Sequence, residues 1–247
     1  MYVYQGRPFE YWVERCNNGD RRARQEAMSV LVAALRDRET KTRATATYAL
    51  YRVATPREAL PALTETMLHD PEPDVRATTA MVLGYLGADA VPVLLDALAD
   101  PNPMVREFVE GALARMVPGA TAVPALVKGL GNETSRRIAA VVLGKMGNAA
   151  KEAVPHLEKL LDDDKLAIRI PAAWALWKID GQLDRTVPIL IQGVNEGDVL
   201  GRIDDMKGLA EIGTRATAAS AKELPPYSGR KATMPWLPPM AKKPSNA

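Results

Sequence analysis

The stretch from Leu60 to Gly87, LPALTETMLHDPEPDVRATTAMVLGYLG, decides how the whole chain is read. It holds two apolar-periodic segments separated by Asp70-Pro71-Glu72-Pro73. Proline does not continue a helix and disfavours α geometry in the residue before it, so each half is a helix of its own. Gly87 then follows the second helix where a left-handed C-cap calls for glycine, and Gly147 and Gly213 recur in the same place. The landmarks of this stretch return along the chain. Pro-x-Leu recurs at Pro61, Pro92, Pro124, Pro155 and Pro188, at spacings of 31, 32, 31 and 33 residues. Some fifteen residues further on stand Arg76, Arg106, Arg136, Arg169 and Arg202, with Arg43 upstream in the same register. Seven residues after each of these six arginines lies a leucine: Leu50, Leu83, Leu113, Leu143, Leu176 and Leu209. Three residues beyond come Val53, Leu86, Met116, Met146, Ile179 and Ile212. At ordinary leucine frequency, six leucines in one column arise by chance about once in a million.

Each unit reads as helix, turn, helix. In the unit after the quoted one, a first helix spans Asp89 to Leu98, with Pro92 in its first turn, where a missing N–H costs nothing. Asp100-Pro101-Asn102-Pro103 breaks it, and a second helix runs from Met104 to Met116. Neither helix buries its apolar stripe alone, so neighbouring hairpins must stack into a solenoid.

Composition agrees. With 47% hydrophobic and 25% charged residues, the 247-residue chain can bury a core, and at 5% aromatics that core is Leu, Val, Ile and Ala, which leans all-α. The single cysteine, Cys16, excludes an intrachain disulfide and a zinc site built on cysteine pairs, and fits a reducing compartment, so a cytoplasmic location is expected. The first residues carry no basic region followed by an apolar one, and runs such as Val30 to Leu35 are too short to span a bilayer; no targeting or membrane segment is expected. The net charge of +2 is unevenly spread. Arg15 to Arg57 holds ten basic and four acidic residues, residues 58–221 sixteen and 23, and Lys222 to the end five and one. Basic ends on an acidic body suggest complementarity toward a partner or a second copy rather than a nucleic-acid groove along the whole length.

The columns, as they stand in LPALTETMLHDPEPDVRATTAMVLGYLG and in AVPALVKGLGNETSRRIAAVVLGKMG (Ala122 to Gly147), resemble the short HEAT-like repeats of the phycobilisome-lyase type, found in many bacterial HEAT proteins. The resemblance covers about five units from Arg57 to Thr214, and residues 57–216 are taken as the repeat domain. It implies a right-handed α-solenoid of five to six helical hairpins, with protein binding as the expected activity. The ankyrin signature Thr-Pro-Leu-His and the tetratricopeptide pattern are both missing.

Upstream, helices are expected over Pro8 to Cys16, Asp20 to Arg36 and Thr40 to Ala54. Arg24 and Leu31 also suit the repeat columns, but in that frame no helix fits between Leu35 and Thr40, so residues 1–56 read as an N-terminal cap with partial repeat character. Tyr2, Tyr4, Phe9, Tyr11 and Trp12 are expected to cover the open end of the core. Downstream, residues 217–247 read as a Pro-rich tail without periodicity; Lys222 to Ala247 carries six prolines, Tyr227 and Trp236. Such a segment can also act as a docking peptide, because extended Pro-rich backbone loses little entropy on binding.

The arginine column, Arg76, Arg106, Arg136, Arg169 and Arg202, is expected to be structural. Arginines there bond the acidic residue that ends the first helix or the neighbouring turn, with Asp70, Asp100 and Asp162 to Asp164 placed to accept. Nine residues after the arginines come Arg52, Tyr85, Arg115, Lys145, Lys178 and Glu211. Four of the six are basic and stacking sets them in a row, either as cations favoured at helix C-termini or as a stripe for an acidic partner. Trp174 and Trp177 fill ridges of the core, or Trp177 stands exposed as an anchor. The candidate partner-binding residues are thus Arg52, Tyr85, Arg115, Lys145, Lys178 and Trp177.

No catalytic, cofactor or metal site is expected. The HEAT-repeat deoxyhypusine hydroxylases carry several His-Glu pairs for a di-iron centre, whereas the histidines here are His69, followed by Asp70, and His156, followed by Leu157. There is no Gly-rich phosphate loop or Gly-x-Ser-x-Gly elbow. The acidic middle also argues against a reader of DNA like the HEAT-like glycosylases. The sequence therefore favours a scaffold or adaptor that binds another protein bearing an acidic patch. A bilin-lyase-like factor that handles a chromophore is the alternative, because related repeats do so without a loud catalytic signature.

Overall fold

The computed structural model describes residues 3–196. The chain opens with a two-stranded antiparallel hairpin, β1 (Val3–Tyr4) and β2 (Arg7–Pro8), turned through Gln5 and Gly6 at positive φ. Helices follow in hairpins: α1 (Phe9–Asn18), α2 (Arg21–Ala34) and α3 (Thr40–Val53), α4 (Pro56–His69) and α5 (Pro73–Leu86), α6 (Val91–Ala97) and α7 (Pro103–Arg115). Then come α8 (Val123–Leu130) and α9 (Arg136–Met146), α10 (Val154–Leu160) and α11 (Leu166–Asp180), and finally α12 (Thr186–Glu196). Short 3-10 turns lead into α6, α8 and α10, and Pro92, Pro124 and Pro155 occupy the first helical turn beyond them.

One core runs the length of the stack, and its spine is the leucine column: Leu50, Leu83, Leu113, Leu143 and Leu176 are fully buried, as are Leu31, Leu63, Leu94, Leu126 and Leu157 from the first helices. The second helices form one layer. α3 packs on α5, α5 on α7 and α9 on α11, more extensively than any first helix packs on the next.

Small residues set that closeness. A Cβ on Gly84 of α5 would lie 3.0 Å from the Ala112 Cβ of α7. One on Gly144 of α9 would lie 2.6 Å from the Trp174 ring and 2.9 Å from the Ala175 Cα of α11. The same column holds Tyr51 in α3 and Ala114 in α7, and there the next second helix packs less extensively, α7 on α9 least of all. Glycines thus bring α5 to α7 and α9 to α11.

Upstream, the three helices expected before residue 56 are α1, α2 and α3. α2 is the first helix of a regular hairpin whose second helix is α3, with Asp37 Oδ1 accepting from the Glu39 amide in the connecting turn. Arg24 therefore lies on a first helix, outside the arginine column. Its guanidinium donates instead to the Cys16 and Val53 carbonyls and to Glu58, tying α1, α3 and α4 together. α1 closes the end of the stack. There Phe9 is buried with its ring stacked 6.0 Å from that of Tyr4, and Trp12 Nε1 donates to the Tyr4 carbonyl at 3.2 Å.

Pro61 sits differently from Pro92, Pro124 and Pro155. It lies inside α4, because Thr55 and Glu58 form a capping box that begins the helix one turn earlier. Gly87 and Gly147 end α5 and α9 with φ of 87° and 55°, so both need glycine. Gly213, Arg202, Glu211 and the Pro-rich tail lie outside the described residues.

Candidate interaction surface

The arginine column is a ladder between units. Each turn carries an Asp or Asn, namely Asp37, Asp70, Asp100, Asn132 or Asp163, whose Oδ1 accepts from the amide two residues on. Arg43 donates through Nη1 to the carbonyls of Asp37 and Arg38 in its own turn, and through Nε and Nη2 to the Asp70 carboxylate of the next unit, at 2.7 and 2.9 Å. Arg76 repeats this with the Asp70 and Pro71 carbonyls and the Asp100 carboxylate, at 2.7 and 3.0 Å. Both pairs are buried. Burial pushes the Asp100 carboxyl up, but the Arg76 bonds, the Asn102 amide and the charges of Arg76 and Arg106 hold it below the usual carboxylate range.

The ladder is interrupted in the middle. Arg106 holds the Asp100 and Pro101 carbonyls, but the next turn offers Asn132, and among the described contacts Arg106 reaches no side chain there. In that next unit the turn is two residues shorter, so Arg136 stands four residues after Asn132 rather than six. Arg136 bonds Asp163 at 2.9 Å but not its own turn, and its Nε is buried with no partner. Ser135 Oγ takes over by donating to the Gly129 carbonyl. Arg169 restores the pattern with the Asp163 and Asp164 carbonyls and Gln192. Every described arginine of the column is thus engaged within the scaffold and offers no anion-binding row.

The residues nine positions further on do fall on the outer side of the second helices, but their surroundings differ. Arg52 is held by a bidentate pair with Glu10 of α1, at 2.7 and 2.9 Å, so its charge is matched at the capped end. Tyr85 is 61% exposed, with its ring 5.3 Å from that of Tyr51. Arg115 is exposed over Gly111, and Lys145 donates to the Ala114 carbonyl at the end of the preceding second helix. Lys178 Nζ lies 4.5 Å from the Trp177 ring centroid and 5.5 Å from that of Trp174. Trp177 is only 4% exposed. Its indole packs in the core cluster that α11 closes, so it is not the exposed anchor that its helical position allowed.

The same face carries residues that the columns did not single out. Tyr48 and Tyr51 of α3 and Phe108 of α7 are exposed like Tyr85, and the Tyr48 hydroxyl lies 3.9 Å from Met81 Sδ. Counted from the arginines, Phe108 and Tyr48 stand at positions two and five, on the same side of the helix as position nine by helical periodicity, and Tyr51 at position eight leans from there toward the next helix. In a chain with two phenylalanines and seven tyrosines, four exposed rings on three neighbouring helices were the available signal. A charged pair between Arg137 and Glu110 bridges α9 and α7 beside them. A cleft of about 310 Å³ between α2 and α4, lined by Val32, Leu35, Ala62 and Thr66, ends on the Arg43 and Asp70 pair. Among the described residues no three His, Cys, Asp or Glu side chains are grouped to hold a metal ion. Nor is any of their helices long and apolar enough to cross a membrane.

Stacked helical hairpins joined through one core, with an arginine ladder along the turns, define an α-solenoid repeat protein. Comparison with known proteins places it more closely. Residues 60–141 and 124–204 match the HEAT repeats, more than half of the chain, and the chain belongs to that family. An archaeal HEAT-like repeat protein from Thermococcus onnurineus NA1 is similar in fold, with a TM-score of 0.53 at 15% identity over 83% of this chain and 92% of that one. So is the complex of CpcE and CpcF of phycocyanin lyase from Nostoc sp. PCC7120, with a TM-score of 0.50 at 22% identity over 79% and 80% of the two chains. No curated protein matches the sequence.

Proposed function

We propose that the chain is a protein-binding scaffold whose contact surface is the open face of its second helices. The observation that carries this reading is the exposed Tyr51 and Tyr85 pair, with Tyr48 beside it on α3 and Phe108 exposed on the next second helix, α7. Exposed rings gathered on one face, supported by rigid helices, are the usual anchors of protein interfaces, because they bring large apolar area at small entropic cost. Arg115, Lys145 and Lys178 continue the face along α7, α9 and α11 and direct it toward a partner with an acidic patch.

Affinity purification of the full chain from its native source tests the reading, beside two variants, Tyr85→Ser with Phe108→Ser and Arg115→Glu with Lys145→Glu. A partner held by the wild type and lost from the first variant, and weakened in the second, is the expected result. A partner held equally by all three forms would overturn the assignment of the face.

A further inference from the structure

The exposed rings of α3, α5 and α7 have a chemically matched segment in the chain itself. Tyr51 and Tyr85 lie 5.3 Å apart across two helices, Tyr48 reaches Met81, and Phe108 extends the apolar surface to the third. Three residues beyond Phe108 stands Gly111, which adds no side chain to the surface. Aromatic surfaces of this kind take Pro-rich extended segments, whose rings lie against tyrosines and whose stiff backbone loses little entropy on docking.

Residues 222–247 have the matching composition, with six prolines, Tyr227 and Trp236, and five basic residues against one acidic. Asp74 of α5 and Glu107 of α7 are exposed on the two helices that carry Tyr85 and Phe108, ahead of those rings and away from Arg115, and are the acidic side chains that such basic residues can meet. Reach is sufficient. Even with the repeat domain running to residue 216, the 31 residues from 217 to 247 span about 100 Å when extended. The face lies three to five hairpins back from α12, about 30–50 Å at ordinary helix spacing.

We propose that the aromatic face of α3, α5 and α7 is the docking site of residues 222–247 of the same chain. The proposal names an occupant of the face and rests on that face being a contact surface. Its test uses the purified full chain carrying a benzophenone amino acid in place of Tyr85, irradiated when dilute, digested and mapped by mass spectrometry. The expected product has monomer mass and joins position 85 to a peptide within 222–247, at about ten times the yield from the same probe at Leu68, an exposed residue of α4 on the other layer. In the otherwise native chain, Tyr51→Ser with Phe108→Ser should speed tryptic cleavage after Arg230 and Lys231 about tenfold. No adduct with 222–247, an adduct only at dimer mass, equal yield from Leu68, or unchanged cleavage would each overturn the proposal. If position 85 still captures another protein in extracts of the native source, the scaffold reading stands while this one falls.

Discussion

At the scale of single residues, the stack is joined by guanidinium groups that each serve two units. Arg76 satisfies two carbonyls of its own turn and both oxygens of Asp100 in the next. Removing it leaves a buried carboxylate without its counter-ion, so Arg76→Ala should cost about 3–5 kcal/mol of unfolding free energy in chemical denaturation. Arg106 lacks the carboxylate, and Arg106→Ala should cost about 1–2 kcal/mol, the loss of charge-assisted bonds to carbonyls alone. Equal losses would contradict the two-unit role. The depressed Asp100 carboxyl adds a pH dependence. A group whose folded pKa lies below its unfolded value stabilises the fold above the unfolded value and loses that contribution as pH falls through the folded one. Stability should therefore decline on acidification below about pH 4, with a shallower decline in Asp100→Asn, read from denaturation midpoints across pH.

At the scale of elements, the spacing of second helices follows which residue stands eight positions after each arginine. Gly144→Ala would drive a methyl group against the Trp174 ring and the Ala175 backbone, and it should cost about 1–3 kcal/mol. Gly84→Ala meets Ala112 alone, its methyl at 3.0 Å and its Cα at 3.4 Å, and should cost less; a larger loss there than at Gly144 would refute this account of the packing. The helices themselves were legible in the sequence, because proline pairs and C-cap glycines punctuate them and the leucine column marks their buried side. Two features escaped that reading for physical reasons. The shortened turn before Arg136 preserves the 30-residue spacing from Arg106, so the loss of its carbonyl bonds is invisible in the register. The helices α2 and α3 were both expected, but their pairing as one hairpin was not, because Arg24 and Leu31 mimic the columns of a second helix while lying on a first one.

At the scale of the whole molecule, the candidate surface was half legible. The position nine residues after each arginine does face outward, yet Arg52 is matched by Glu10 and Trp177 is buried, facts that depend on α1 and α11 and on no local pattern. Tyr48, Tyr51 and Phe108 became visible as a cluster once the second helices were set side by side. The claim that this face is where the solenoid meets its partner is tested most directly by photo-crosslinking in the native source, with the probe at Tyr85 compared with Leu68. A discrete protein adduct from position 85 and none from position 68 is the predicted result. Adducts from position 68 alone, or at equal yield from both, would contradict it.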